Sequence, residues 1–106
     1  MATRNQIVKQ AQAWLGSKEG TAAHKAIIDT YNNDKPLPRG YKVKYTDAWC
    51  ATFVSAVGIK CNAKDIILKE CSCAKMIDLH KANGTWVEND AHVPMPGDLI
   101  LYCSYA

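Results

Sequence analysis

Cys50 is the residue best placed for chemistry by its type and position. Asp47, one turn earlier, has the side chain of a helix N-cap. The spacing therefore predicts Cys50 in the first turn of a helix, beside free backbone N–H groups and the positive end of the helix dipole. That setting favours the thiolate, the form that attacks a carbonyl carbon. The same spacing has a plainer reading. Cys50, Phe53, Val54 and Val57 share one helical face, and a buried cysteine packs as a small hydrophobe. With no histidine next to Cys50 in sequence, the packing reading is the stronger one on spacing alone.

The chain has five cysteines, an odd number that leaves one over from any disulfide framework. Its start, Met1-Ala2-Thr3-Arg4-Asn5-Gln6, is polar and lacks the apolar core of a secretory signal. A reduced chain made in the cytoplasm is the expectation. Cys61, Cys71, Cys73 and His80 together would make a Cys₃His set for zinc. Against it, Cys71-Ser72-Cys73 leaves only Ser72 between its cysteines, whereas zinc ligand pairs are usually spaced by about two to four residues. Zinc is therefore the minor reading, and neither metal nor cofactor is expected. Cys103 shares a strand face with Leu101 and Tyr105 and reads as packing.

His24 falls at the start of a predicted helix, His80 near the end of another, where a cation suits the dipole, and His92 in a loop before Pro94. All three read as solvated residues. Glu19, Asp47 and Asp98 read as cap or turn residues.

Several elements must position these groups. Thr3 and Gln6 have capping-box spacing, and Ile7, Ala11, Trp14 and Leu15 then form one apolar stripe that Gly16 ends. A second helix is predicted from about Thr21 to Tyr31, with Ile27, Ile28 and Tyr31 inward. The stretch from Asn32 to Gly40 is a loop by composition. Tyr41 to Tyr45 alternates in the manner of a short extended piece. Ile66-Ile67-Leu68 is short and helical or irregular. Ser72 caps a helix carrying Met76, Ile77 and Leu79, with Gly84 past its end. Thr85-Trp86-Val87 reads as a short strand, Pro94 to Asp98 as a turn, and Leu99 to Tyr105 as the best strand. The predicted fold is α+β, with the helices packed on a small, incomplete antiparallel sheet.

The length of 106 residues sets a single domain spanning 1–106. Hydrophobic residues make up 48% and charged residues 22%, which excludes a disordered chain. No apolar run approaches the roughly 20 residues of a membrane span. The net charge of +3 comes from scattered lysines without interleaved aromatics, so no nucleic-acid partner is expected. It suits, weakly, a polyanionic partner such as a bacterial wall.

The segment Tyr45-Thr46-Asp47-Ala48-Trp49-Cys50-Ala51-Thr52-Phe53-Val54-Ser55-Ala56 resembles the nucleophile motif of papain-like bacterial and phage cell-wall hydrolases, the CHAP and NlpC-type amidase/peptidase group. Ile27-Ile28-Asp29-Thr30-Tyr31-Asn32 is similar to the helix end before that motif in phage endolysins. Pro96-Gly97-Asp98-Leu99-Ile100-Leu101-Tyr102 resembles the Pro-Gly-Asp turn and first core strand. The matches run through nearly the whole chain in the family's order and outweigh the packing reading of Cys50. The resemblance implies a cysteine peptidase or amidase that cleaves amide bonds of peptidoglycan at the bacterial cell wall, with Cys50 as nucleophile.

The family's base is a histidine that follows the Pro-Gly-Asp strand. Asp90-Ala91-His92-Val93 has a superficial likeness to that segment but precedes Pro96-Gly97-Asp98. The resemblance thus implies the N-terminal, nucleophile-bearing portion of such a hydrolase, with only Cys50 carried over and the histidine missing from this chain. A lone terminal strand would expose unpaired backbone groups, so association of copies through Leu99 to Tyr105 is also expected. Two other readings stand: a non-catalytic, truncated relative that binds wall material or a partner, and a small cysteine-rich zinc domain.

Overall fold

A computed structural model describes residues 2–89 and 91–101. Four helices carry the fold: α1 (Arg4–Ala13), α2 (Ala22–Asn33), α3 (Cys50–Lys60) and α4 (Cys73–Ala82), with a 3-10 turn at Pro38–Gly40. Three start where short-range hydrogen bonding dictates. Thr3 Oγ1 accepts from Gln6 N–H while the Gln6 side chain accepts from Thr3 N–H, completing the capping box of α1. Thr21 caps α2 through His24 N–H, and Ser72 caps α4 through Lys75 N–H.

α3 is the centre, touching α2, α1 and α4. Ala51, Thr52, Ser55, Ala56 and Gly58 give it a buried surface of small residues, which lets neighbouring chain approach closely. Gly58 shows how closely, since a β-carbon there would lie 3.0 Å from Ile67 Cβ. On the α1 side, Ile7, Val57 and Ile67 form one buried cluster, joined by Ala11, Trp14, Phe53, Cys61 and Leu99. On the α2 side, Ile28, Tyr31 and Val43 form a second, joined by Leu37, Trp49 and Cys71. Ile27, Ile28 and Tyr31 are fully buried, as their spacing predicts.

The α+β expectation is corrected: among the described residues there is no strand, and the fold is helical. Each predicted extended piece fails for want of a partner edge. Tyr41–Tyr45 has its central backbone groups taken by the Asn32 side chain, which exchanges hydrogen bonds of 2.9 Å with both Val43 N–H and C=O. Thr85–Val87 follows α4 unpaired, and Thr85 N–H returns to His80 C=O instead. Leu99–Leu101 joins no ladder, and Leu99 packs on the α1-side cluster. The rest of the predicted terminal strand, Tyr102 to Tyr105, lies outside the described residues, as does Cys103.

The turn before Leu99 does form. Asp98 N–H donates to Met95 C=O and Met95 N–H to Asp98 Oδ2, with Gly97 at φ +89. Arg4, at the start of α1, holds this turn by a 2.6 Å ion pair to Asp98 and a 3.1 Å bond to Pro96 C=O. A Gly97 side chain would meet the Arg4 backbone at 3.2 Å, so glycine serves here for both conformation and close approach.

Two further expectations change. Leu15 is not on the inward stripe, because α1 ends at Ala13 and leaves Leu15 87% exposed. Asp47 does not cap α3. Trp49 occupies the N-cap position with no side-chain cap bond, and Cys50 is the first helical residue. No helix among the described residues is long and apolar enough to cross a membrane.

Candidate functional site

The segment leading into α3 is fixed by side chains that bond back to it. Asp47 Oδ2 accepts from the Tyr41 hydroxyl at 2.5 Å and from Lys44 N–H at 2.9 Å. Those two bonds hold its carboxyl below the usual carboxylate range, and the first of them pushes the Tyr41 phenol up. Tyr45 donates its hydroxyl to Asp29 on α2 at 2.7 Å. Asp47 thus shapes the approach to α3 without capping it.

Cys50 emerges from this turn exposed. The packing reading of Cys50 is therefore not what the fold adopts. The inward residues of α3 are its neighbours Ala51 and Thr52, while Phe53 and Val57 turn toward α1. The thiol stands at a helix N-terminus that no side chain has closed.

An aromatic row runs from Trp14 to His24. Trp14 meets Phe53 with ring centroids 5.9 Å apart, Phe53 meets Trp49 at 6.1 Å, and Trp49 meets His24 at 4.7 Å, all edge to face. Trp14, Trp49, Phe53, Val54 and Leu99 line an apolar groove of about 510 Å³ between α1, α3 and the Gly97–Leu99 turn. Trp49 belongs to the groove wall and immediately precedes the exposed thiol.

The three histidines take separate places. His24 is fully buried rather than solvated. Its Nδ1 accepts from Gly20 N–H at 3.1 Å, so the neutral ring carries its proton on Nε2, which is buried without a hydrogen-bonding partner. His80 is buried rather than a surface residue. Its Nδ1 lies 2.8 Å from Thr85 Oγ1, and burial pushes its pKa down. His92 is exposed in the loop before Pro94. The Nδ1 bonds of His24 and His80 go to Gly20 and Thr85, not to Cys50.

The zinc set is not assembled. Cys61 belongs to the α1-side cluster, where its thiol donates to Gln6 C=O at 3.5 Å, while Cys71 belongs to the α2-side cluster. Among the described residues no three His, Cys, Asp or Glu side chains converge on one point.

Sequence reasoning passed over a second polar centre. Glu70 is 4% exposed. Its Oε1 accepts from Cys71 N–H at 2.9 Å and Ser72 N–H at 3.2 Å, and from the guanidinium of Arg39. Ser55, buried on α3, accepts from Glu70 N–H at 3.0 Å and donates to Glu70 C=O at 2.8 Å. The one signal of it in the sequence is an acidic residue just before the Ser72 cap. Comparison with protein-family models, curated proteins and solved structures finds no match to this chain.

Proposed function

We propose that this protein acts on the amide bonds of bacterial peptidoglycan by cysteine chemistry, with Cys50 as the attacking group. The observation that carries this reading is the exposed thiol of Cys50 at the first position of α3, on a helix end left open by its neighbours. Unpaired N–H groups there are donors for an oxyanion formed beside the sulfur. The apolar groove that begins at Trp49 offers a wall against which a peptide stem can lie. The motif Trp49-Cys50-Ala51-Thr52-Phe53-Val54 supports the same reading through its likeness to the cell-wall hydrolases.

The thiol and the groove are one part of such a site. The Nε2 atoms of His24 and His80 are buried without a partner and their Nδ1 atoms bond to Gly20 and Thr85, so neither ring is hydrogen-bonded to the Cys50 thiol as a base would be. General acid–base help is worth about 10²–10⁴-fold in rate, so the described residues should give a reactive thiol and slow wall cleavage.

The test uses purified wall sacculi and the whole chain. Under native conditions a thiol reagent should modify Cys50 before the other cysteines. Any release of new amino ends from the wall should vanish in Cys50→Ser. Cleavage that persists in Cys50→Ser, or uniform labelling of all cysteines, would overturn the assignment. A second reading, binding without cleavage, is favoured by the aromatic lining of the groove. Its mark is sedimentation with sacculi that Cys50→Ser retains and Phe53→Ala loses.

A further inference from the structure

Tyr31 on α2 is fully buried, and its hydroxyl has no hydrogen-bonding partner. An unpaired buried donor costs roughly 1–3 kcal/mol, so its surroundings call for an explanation. Cys71 packs against the buried cluster that Tyr31 forms with Ile28 and Val43. Burial, and after it the Cys71 thiol, pushes the Tyr31 phenol far above its ordinary pKa, so it stays an O–H donor. A second donor approaches the same sulfur. Arg39 Nη2 lies 3.7 Å from Cys71 Sγ, on a residue held at φ 54, where a side chain other than glycine's is strained. Glu70 anchors that guanidinium, and its Oε1 also takes the N–H groups of Cys71 and Ser72.

A neutral thiol is a weak acceptor for two donors. An oxygen carried by that sulfur is a good one. The next cysteine is also placed to matter. Ser72 is extended, at φ −112 and ψ 125, so Cys71 and Cys73 project to the same side of the chain, and a bond between them requires the Ser72 backbone to turn. Cys73 is exposed as the first residue of α4, while Cys71 is half-buried.

We propose that Cys71 is a peroxide-oxidised cysteine, its sulfenate held by the Tyr31 hydroxyl and the Arg39 guanidinium, with Cys73 as the resolving thiol. In the first step the Cys71 thiolate attacks the outer oxygen of a hydroperoxide. The S–O bond forms and the O–O bond breaks. The sulfur gives up two electrons to the peroxide, which leaves as an alcohol or water after taking a proton. In the second step the Cys73 sulfur attacks the sulfenic sulfur. The S–S bond forms, the S–O bond breaks, and the hydroxide leaves as water with the Cys73 proton. The product is a disulfide across Ser72, at the N-terminus of α4.

The test is a titration of the whole chain with hydrogen peroxide in the presence of a cyclic 1,3-dione that traps sulfenic acids, with peptide mass mapping of all five cysteines. In Cys50→Ser/Cys73→Ser, which removes the thiol of the proposed wall-cleaving site, the trap should mark Cys71 first. In the unmodified chain that mark should give way to a Cys71–Cys73 link that a thiol reductant reverses. A hydrogen bond to a charged group is worth on the order of tenfold in such an equilibrium, so Tyr31→Phe and Arg39→Gln should each weaken trapping at Cys71 by about that factor. Circular dichroism reports whether each variant keeps its helices, and Arg39→Gln, at an exposed position, carries the test if Tyr31→Phe does not fold. The proposal is overturned if Cys61 is trapped before Cys71 in the Cys50→Ser background, if the remaining cysteines react alike, or if trapping at Cys71 is unchanged in the folded variants.

Discussion

The side-chain amide of Asn32 pairs with the backbone of Val43 as a strand would, donating to its C=O and accepting from its N–H, each at 2.9 Å. Both residues are buried. One side chain on α2 thereby satisfies the central backbone groups of an extended segment and removes its need for a sheet partner. The same contact seats Val43 against Ile28 and Tyr31 and starts the chain toward Asp47 and Cys50.

Asn32→Ala leaves a buried N–H and a buried C=O without partners. At about 1–3 kcal/mol for each unsatisfied group, stability should fall by roughly 2–6 kcal/mol in urea unfolding. Asn32→Asp removes the donor and adds a buried charge, and should cost at least as much. A loss below about 0.5 kcal/mol for both, within the range of ordinary surface changes, would show that solvent replaces the amide.

Ser55→Ala tests the join between α3 and the Glu70 turn. Ser55 Oγ serves both the N–H and the C=O of Glu70, and the methyl group that replaces it can serve neither. The expected loss is about 2–3 kcal/mol by denaturant titration. Ser55→Thr, which retains the hydroxyl, should lose less only if the added methyl fits.

Gly58→Ala sets two effects against each other. Helix propensity favours alanine by about 1 kcal/mol, while crowding in a packed core costs typically about 1–3 kcal/mol. The new β-carbon would sit 3.0 Å from Ile67 Cβ, a branched atom close to the backbone that cannot swing away. Crowding should win, giving net destabilisation. Ile67→Ala in the same chain should relieve part of it, so the two changes together cost less than their sum in a double-mutant cycle.

His80 gives the fold an acid-sensitive contribution. Burial holds its folded pKa below the ordinary value of about 6.5. The unfolded chain therefore binds the His80 proton more readily than the folded one. That contribution is intact above about pH 6.5 and is lost as pH falls toward the depressed folded value. His80→Gln should flatten the slope of stability against pH in that window, measured by urea titrations at stepped pH. An unchanged slope would mean that the ring charges in place.

The helix starts of α1, α2 and α4 were legible in the sequence because a cap is a local event. Thr3, Thr21 and Ser72 each reach an N–H three residues ahead, so type and spacing alone specify them. The inward trio of α2 and the Met95–Asp98 turn follow from periodicity and turn chemistry in the same way. The exposed placement of Cys50 was not legible, because Phe53, Val54 and Val57 turned toward a groove wall whose other side is α1. Nor was the helical outcome, since an apolar extended run becomes a strand only when another edge meets it. Val43 met the Asn32 amide, and Leu99 met the α1-side cluster. His24 and His80 lie in patterns that read as surface, and only packing against Trp49 and the turn to Thr85 took them inside. Arg39 and Glu70 are 31 residues apart, and Ser55 and Glu70 are 15. Contacts of that reach depend on where helices return the chain, which is set by how the small face of α3 admits its neighbours and by no local rule of spacing.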